Sequence, residues 1–270
     1  MRSPSSVAVL LAGGLLLAAC GRRTTLRGAG DARVTPVVLS LSNAYLLAAE
    51  GGGVALVDAG SPGERDYRAL ADALAAAGYA WADVRVAVLT HAHVDHAGLA
   101  HRLAAEHGVP LVLGAGDVAL LRAGGAVELH PIGLEARMIR PFLPDGYPPP
   151  DSAAPLAAVP AGDSLDLRPY GLPAWAFAKP GHTPGHLVVV LAGAGDAGAA
   201  AFAGDLLRGG SLGGRLAADA PRRHYFHDDV AAAEAHLAGL LARGVETFYL
   251  GHGGPVAAAD VRAYLLRERG

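Results

Sequence analysis

The stretch THAHVDHAG, Thr90 to Gly98, places three histidines and an aspartate, His91, His93, Asp95 and His96, within six positions. With 12 histidines in 270 residues, chance produces such a pattern in about one chain in a thousand. Zinc is held by imidazole nitrogen and carboxylate oxygen at about 2.0–2.2 Å, and two-metal hydrolases keep their ions about 3.5–4 Å apart. In extended backbone alternate side chains share a side, so His91 and His93 can grip one ion. Asp95 and His96 follow where the chain turns, and can face a second.

Further ligands have to come from elsewhere in the chain. Three candidates stand out: His182 in KPGHTPGH, Asp205 in FAGD and His252 in YLGHGG. Each falls at the C-terminal end of a predicted strand, where layered αβ folds commonly carry their functional side chains. Each is flanked by glycine, which lets backbone approach a metal cluster closely.

The flanking segments say what scaffold carries these residues. VRVAVLT reads as a buried strand ending at Thr90; GLAHRLAAEHG follows as a helix, VPLVLG as a strand and AGDVALLRAG as a short helix. Upstream, VTPVVLSLSNAYLLAAEGGGVALVDAG gives two or three strands broken at Asn43 and at the Gly51–Gly53 turn. The next helix starts from Ser61 as N-cap with Pro62 in first position, and Gly78 stops it. Residues 124–160 are proline-rich and lack periodicity, the mark of a binding loop or lid. Strands return in LPAWAFAKP, LVVVLAG and AAAFAGD. A helix from Val230 to Arg243 is expected to be capped by Asp228, followed by the strand TFYLG and a last helix from Ala257 to Arg269. Strands followed by helices, twice over, predict two αβ halves with their sheets face to face and helices outside.

Composition permits a large core, at 52% hydrophobic and 17% charged residues. A net charge of −3 without any basic block excludes a nucleic-acid surface. The first 19 residues are not expected to belong to the fold. Arg2 precedes an apolar run from Val7 to Ala19, too short to span a membrane comfortably but laid out as an export signal. LAAC, Leu17 to Cys20, resembles a bacterial lipobox, which predicts cleavage before Cys20 and lipid on its sulfur. Gly21 rather than Asp follows, so the expected location is the periplasmic face, at the outer rather than the inner membrane. Residues 20–33 form the tether, and the domain runs from 34 to 270. Cys20 is the only cysteine, so the chain forms no intramolecular disulfide and the domain carries no catalytic thiol.

Taken together, HAHVDH, GHTPGH, GD and GHG resemble the signature motifs of the metallo-β-lactamase superfamily, in order and spacing, over roughly Val34 to Arg269. The resemblance implies a four-layer αββα sandwich. It implies one zinc on His91, His93 and His182, another on Asp95, His96 and His252, and Asp205 bridging both; iron or manganese are the alternative metals. Asp58 and Thr90 match positions that hold such ligands from outside, and His186 is a candidate for the same role or for facing substrate. The implied reaction is attack of a metal-bound hydroxide on an ester, thioester or lactone carbonyl, with Asp95 orienting the nucleophile and relaying a proton. Asp205 in place of cysteine or serine argues against a β-lactamase and toward the lactonase and glyoxalase II-like branch. Yet Arg208 stands where quorum-quenching lactonases often carry tyrosine, three residues past the bridging aspartate. The other readings are a β-lactamase, an iron-dependent persulfide dioxygenase-like oxidoreductase and a non-catalytic metal-binding lipoprotein. The expected partners are a small-molecule substrate and a lipid anchor.

Two weaker motifs compete. GAGDAG, Gly193 to Gly198, matches a dinucleotide fingerprint, but a strand is predicted after it where a helix is needed. GGSLG, Gly209 to Gly213, matches a nucleophile elbow, with Asp228 and His252 following in order, but lacks a helix after it. His101, His107 and His236 read as ordinary helix residues. His224, Tyr225 and His227 in RRHYFHDD are expected at a helix entry rather than the pocket mouth. Met138, Phe142 and Tyr147 are either substrate contacts or loop packing.

Overall fold

The computed structural model describes residues 24–25, 33–48, 52–126, 129–143, 145–192 and 198–268. The expected export signal, Cys20, most of the tether and most of GAGDAG lie outside the described residues.

Two sheets form the frame. The first runs in chain order: β1 Thr24–Thr25, β2 Arg33–Val38, β3 Asn43–Ala48, β4 Val54–Val57, β5 Val84–Val88, β6 Leu111–Gly114 and β7 Leu156–Val159. The second contains β8 Ser164–Asp166, β9 Ala174–Ala178, β10 Leu187–Leu191, β11 Ala199–Gly204, β14 Val245–Leu250 and β15 Val256–Ala257, in the order β15-β14-β11-β10-β9-β8. Between them in sequence, β12 Arg208–Ser211 and β13 Leu216–Arg222 form a separate antiparallel ribbon. The helices are α1 Glu64–Ala77, α2 Val94–Ala97, α3 Ala100–His107, α4 Val118–Arg122, α5 Gly133–Ile139, α6 Val230–Ala242 and α7 Ala258–Glu268.

Side-chain parity separates three cores. Tyr45, Leu47, Val57, Val86 and Val88 of the first sheet meet Leu187, Val189, Phe202 and Tyr249 of the second between the sheets. The alternate residues Leu46, Leu56 and Ala87 face outward and pack with Leu70, Leu74 and Leu103 of α1 and α3. On the other side Val188, Ala201 and Phe248 pack with Leu237, Leu240, Val261 and Tyr264 of α6 and α7. The architecture is therefore the four-layer αββα sandwich. Both faces of the central strands are buried, which is why they read as continuous apolar runs rather than as alternating ones. Among the described residues, no helix is long and apolar enough to cross a membrane.

Several boundaries differ from expectation. Ser61 does not cap α1; Gly63 holds the N-cap position without a side-chain bond. Asp66, in the first turn and 1% exposed, instead accepts from the backbone N–H of Ser61 and of Ser40. That carboxylate ties the segment before the helix, and the link from β2 to β3, to the first turn of α1. Gly78 does end the helix, at φ +85°, with its N–H turned back to Ala75 and Leu74. Asp229, not Asp228, caps α6 by accepting from Ala232 N–H at 2.9 Å. Residues 124–160 are not one irregular loop. They contain α5, and β7 closes the edge of the first sheet in parallel register with β6. The GGSLG segment leads from β12 into the ribbon turn and β13, strand to strand, so the elbow geometry is absent.

Candidate metal centre

The centre lies along one edge of the sandwich. β5 delivers Thr90 and His91, after which the chain enters α2 with His93 at its N-cap and Asp95 and His96 inside it. The expected extended grip thus gives way to a helical turn after His93. Asp205 follows β11 directly, His252 follows β14, and His182 sits on the link from β9 to β10. All seven expected ligands converge. His91, His93 and His182 have ligand atoms within 4.8 Å of one another, as do His91, His96 and Asp205, and Asp95, His96 and His252.

Asp205 is the hub. Its Oδ2 lies 3.8 Å from His91 Nε2, 3.4 Å from His96 Nε2, 3.6 Å from His182 Nε2 and 3.3 Å from His252 Nε2. Asp95 Oδ2 stands 3.4 Å from His252 Nε2. Glycine is required beside this cluster. A Cβ on Gly251 would come 2.1 Å from Asp205 Oδ1, and one on Gly204, at φ +49°, would meet His186 and Thr90 at 2.7–2.8 Å.

The far nitrogens of His91, His96, His182 and His252 explain why the near ones face inward. His96 Nδ1 is 2.9 Å from Asp58 Oδ2, His182 Nδ1 is 2.7 Å from the Phe226 carbonyl, and His252 Nδ1 is 2.9 Å from the Leu41 carbonyl. Carboxylate and carbonyl oxygens only accept, so these Nδ1 atoms carry the hydrogens and, in the neutral rings, each Nε2 presents a lone pair. His91 Nδ1 reaches Thr90 Oγ1 at 3.0 Å, and that hydroxyl donates to Asp58. Asp58 therefore holds two histidines, one directly and one through Thr90, while also accepting from the Thr90 N–H at 2.7 Å. Its backbone sits at φ +63°, a conformation a non-glycine residue rarely adopts.

Burial dominates the electrostatics. It holds His91 and His182 well below the ordinary histidine range, His93 at about 4 and His186 at about 3. Burial also opposes charge on His96, but Asp205, Asp95 and Asp58 outweigh it and push that ring upward. Burial raises Asp205, yet His224, His252 and His96 more than reverse this and hold its carboxyl well below the usual range.

His186 does not point a nitrogen into the cluster. Its Nε2 accepts from the Asp205 backbone N–H at 3.2 Å, so it positions the hub. Sequence reasoning missed two other contributors, Asp117 and the place of His224 in the cluster. Asp117, buried at the start of α4, accepts from Ala92 N–H, Gly185 N–H and Thr183 Oγ1 at 3.0, 2.7 and 2.8 Å, tying the first motif to the GHTPGH loop. No local pattern distinguishes it from a helix-capping aspartate. Tyr147 is buried and donates to the Ala92 carbonyl at 2.8 Å, so it is packing and not a substrate contact. His224, expected at a helix entry, lies inside the cluster, with Nε2 3.1 Å from Asp205 Oδ2. Met138 is 65% exposed and does not line the cavity.

The cluster floors a cavity of about 390 Å³. Asp95, Asp205, His224 and His252 form its polar end; Leu129, Ile139, Leu143 and Phe226 form an apolar wall; Arg140 and Arg215 stand on its rim. The donor set fits metal. Among the described residues His96 Nε2 and Asp205 Oδ1 are buried without a hydrogen-bond partner. Lone pairs of imidazole and carboxylate facing one another in a dry site are costly unless a cation lies between them.

Comparison with known proteins agrees with this geometry. The family model described as the metallo-beta-lactamase superfamily matches residues 37–252. The subclass B3 metallo-beta-lactamase BJP-1 of Bradyrhizobium japonicum is 20% identical, with TM-score 0.59 and 87% of each chain covered. The metallo-beta-lactamase SMB-1, solved with 2-mercaptoethanesulfonate, is 23% identical with TM-score 0.58, covering 85% of this chain and 79% of its own. The Rm3 metallo-beta-lactamase is 19% identical with TM-score 0.61, covering 91% and 90%. At these identities the likeness is one of fold. A search of curated proteins found no match. With the family model spanning the frame and the whole histidine–aspartate cluster, this chain belongs to the metallo-beta-lactamase superfamily.

Proposed function

We propose that the chain is a dinuclear zinc hydrolase that opens an ester, thioester or lactone carbonyl. The observation that carries this reading is the convergence of imidazole nitrogens on one buried carboxylate, Asp205, with their far nitrogens fixed by acceptors. His91, His93 and His182 would hold one ion, Asp95, His96 and His252 the other, and Asp205 would bridge them. When bound, such ions supply a water that is nucleophilic near neutral pH and a Lewis acid for the carbonyl.

The protein's own groups supply the rest. Asp95 lines the cavity and can accept a proton beside the reacting carbonyl. The apolar wall of Leu129, Ile139 and Leu143 holds the acyl or lactone chain and excludes water. Arg140 and Arg215, which form no ion pair among the described residues, face the polar end of a substrate at the rim. A β-lactam is the second reading, favoured by the fold it shares with BJP-1 and SMB-1. We further propose that the domain works outside the inner membrane, anchored by lipid on Cys20, on the strength of the Val7–Ala19 run and LAAC.

The test is turnover of lactones, thioesters, β-lactams and phosphodiesters, with metal content measured in parallel. Lactone or thioester hydrolysis that a chelator stops, and a serine-directed inhibitor does not, supports the proposal. Turnover of β-lactams alone moves the assignment to the second reading. Hydrolysis that survives the chelator rejects both. Mass spectrometry of Cys20 from membranes tests the anchor; an unmodified thiol there rejects it.

A further inference from the structure

We propose that His224 is an eighth ligand of the metal centre, binding through Nε2 on the side of His182 and Asp205. The inference rests on the centre being metallic, as proposed above, but adds a residue outside the motifs that define the family resemblance.

Three observations carry it. First, His224 is 4% exposed and its Nε2 is the imidazole nitrogen nearest Asp205 Oδ2, at 3.1 Å. The ligand atoms of His182, Asp205 and His224 lie within 4.8 Å of one another. Second, that buried Nε2 has no hydrogen-bond partner among the described residues, the same condition as His96 Nε2. Third, its far nitrogen is fixed as a ligand's would be. His224 Nδ1 lies 3.1 Å from the Phe226 carbonyl, the same oxygen that accepts from His182 Nδ1 at 2.7 Å. One carbonyl thus orients two imidazoles, whose planes stand at 87° with centroids 4.6 Å apart. The Phe226 N–H also approaches His224 Nδ1, at 3.3 Å, and would favour the opposite tautomer. The shorter contact is to the carbonyl, and only that tautomer leaves Nε2 free to bind a cation.

The segment is built to hold a ligand still. Tyr225 donates to Glu135 at 2.6 Å, Arg208 donates to the Arg223 carbonyl at 2.9 Å and pairs with Glu135 at 3.1 Å, and Ile132 N–H donates to the Tyr225 carbonyl at 2.8 Å. Ligands need such rigid support, because small displacements weaken binding steeply. Arg208, at the position where lactonases often place tyrosine, turns away from the cavity and positions the strand leading to His224.

The test uses the full chain labelled with isotopic histidine nitrogen and loaded with spin-active cadmium. Each ligating ring nitrogen then couples to the metal. Coupling in all six imidazoles of His91, His93, His96, His182, His224 and His252 supports the proposal. Coupling in five, with His224 silent, overturns it and assigns His224 to the substrate side. A wild-type chain with no coupled nitrogen overturns the metal reading as well. Zinc titration against a competing chelator gives the second measurement. His224→Ala is expected to bind its weaker equivalent about 10-fold or more less tightly, the size of effect seen on disturbing such centres. Affinity for both equivalents within twofold of wild type contradicts a ligand role.

Discussion

The two sides of the cavity are built differently. One side is the contiguous segment Thr90–Gly98, stapled by buried carboxylates. Asp58 collects Thr90 and His96, and Asp117 collects Ala92, Thr183 and Gly185. The other side is assembled from α5, β12 and the end of β13, held by Glu135, Arg208 and Tyr225. Glu135 is more than a third exposed at its side chain, so solvent screens that network. The side carrying the clustered ligand motif thus depends on a few dry, charge-assisted bonds, whereas the side carrying His224 depends on wetter and individually weaker ones.

If this contrast is right, damage should grade from one side to the other. Asp205→Ala removes the hub and should lower both metal content and hydrolysis by at least ~100-fold, above the range for outer partners; full metal content in this variant would break the scheme. Asp58→Ala leaves every ligand in place but frees His96 and Thr90. Metal affinity, read by chelator competition, should fall by about 10- to 100-fold. Glu135→Gln weakens a partly exposed pair worth ~0.2–1 kcal/mol, so turnover and affinity for the weaker zinc equivalent should each fall by no more than about two- to fivefold. A loss as large as that of Asp58→Ala would erase the distinction between the two sides. Leu74→Ala, in α1 on the outer core, should cost ~2–5 kcal/mol in thermal or urea unfolding and leave turnover below the melting point unaltered.

The same contrast explains what could be read in the sequence. His91, His93, Asp95 and His96 are adjacent, and His182, Asp205 and His252 each follow an apolar run with glycine beside them. Local spacing therefore carries the donor set. The sandwich was legible for a related reason, since apolar runs of strand length alternate with amphipathic helices. His224 was not legible. It follows a short ribbon whose strands, RGGS and LAADAPR, carry glycine and proline and little β propensity. That ribbon exists because Arg208, Tyr225 and Glu135 of α5 fasten it, and contacts between distant segments leave no periodic trace. Asp117 and Asp66 were missed in the same way: each is an aspartate beside a helix start whose bonds reach across the fold. β7 escaped notice because LAAV is short and its pairing with β6 is parallel and non-local.

The central claim is that this cluster is a two-metal hydrolytic centre. Its most direct test is to strip the purified chain with a chelator and titrate zinc back while following hydrolysis of a lactone or thioester. The account predicts that turnover disappears on stripping and returns to a plateau at about two equivalents of zinc. Turnover that persists in the metal-free chain would contradict it.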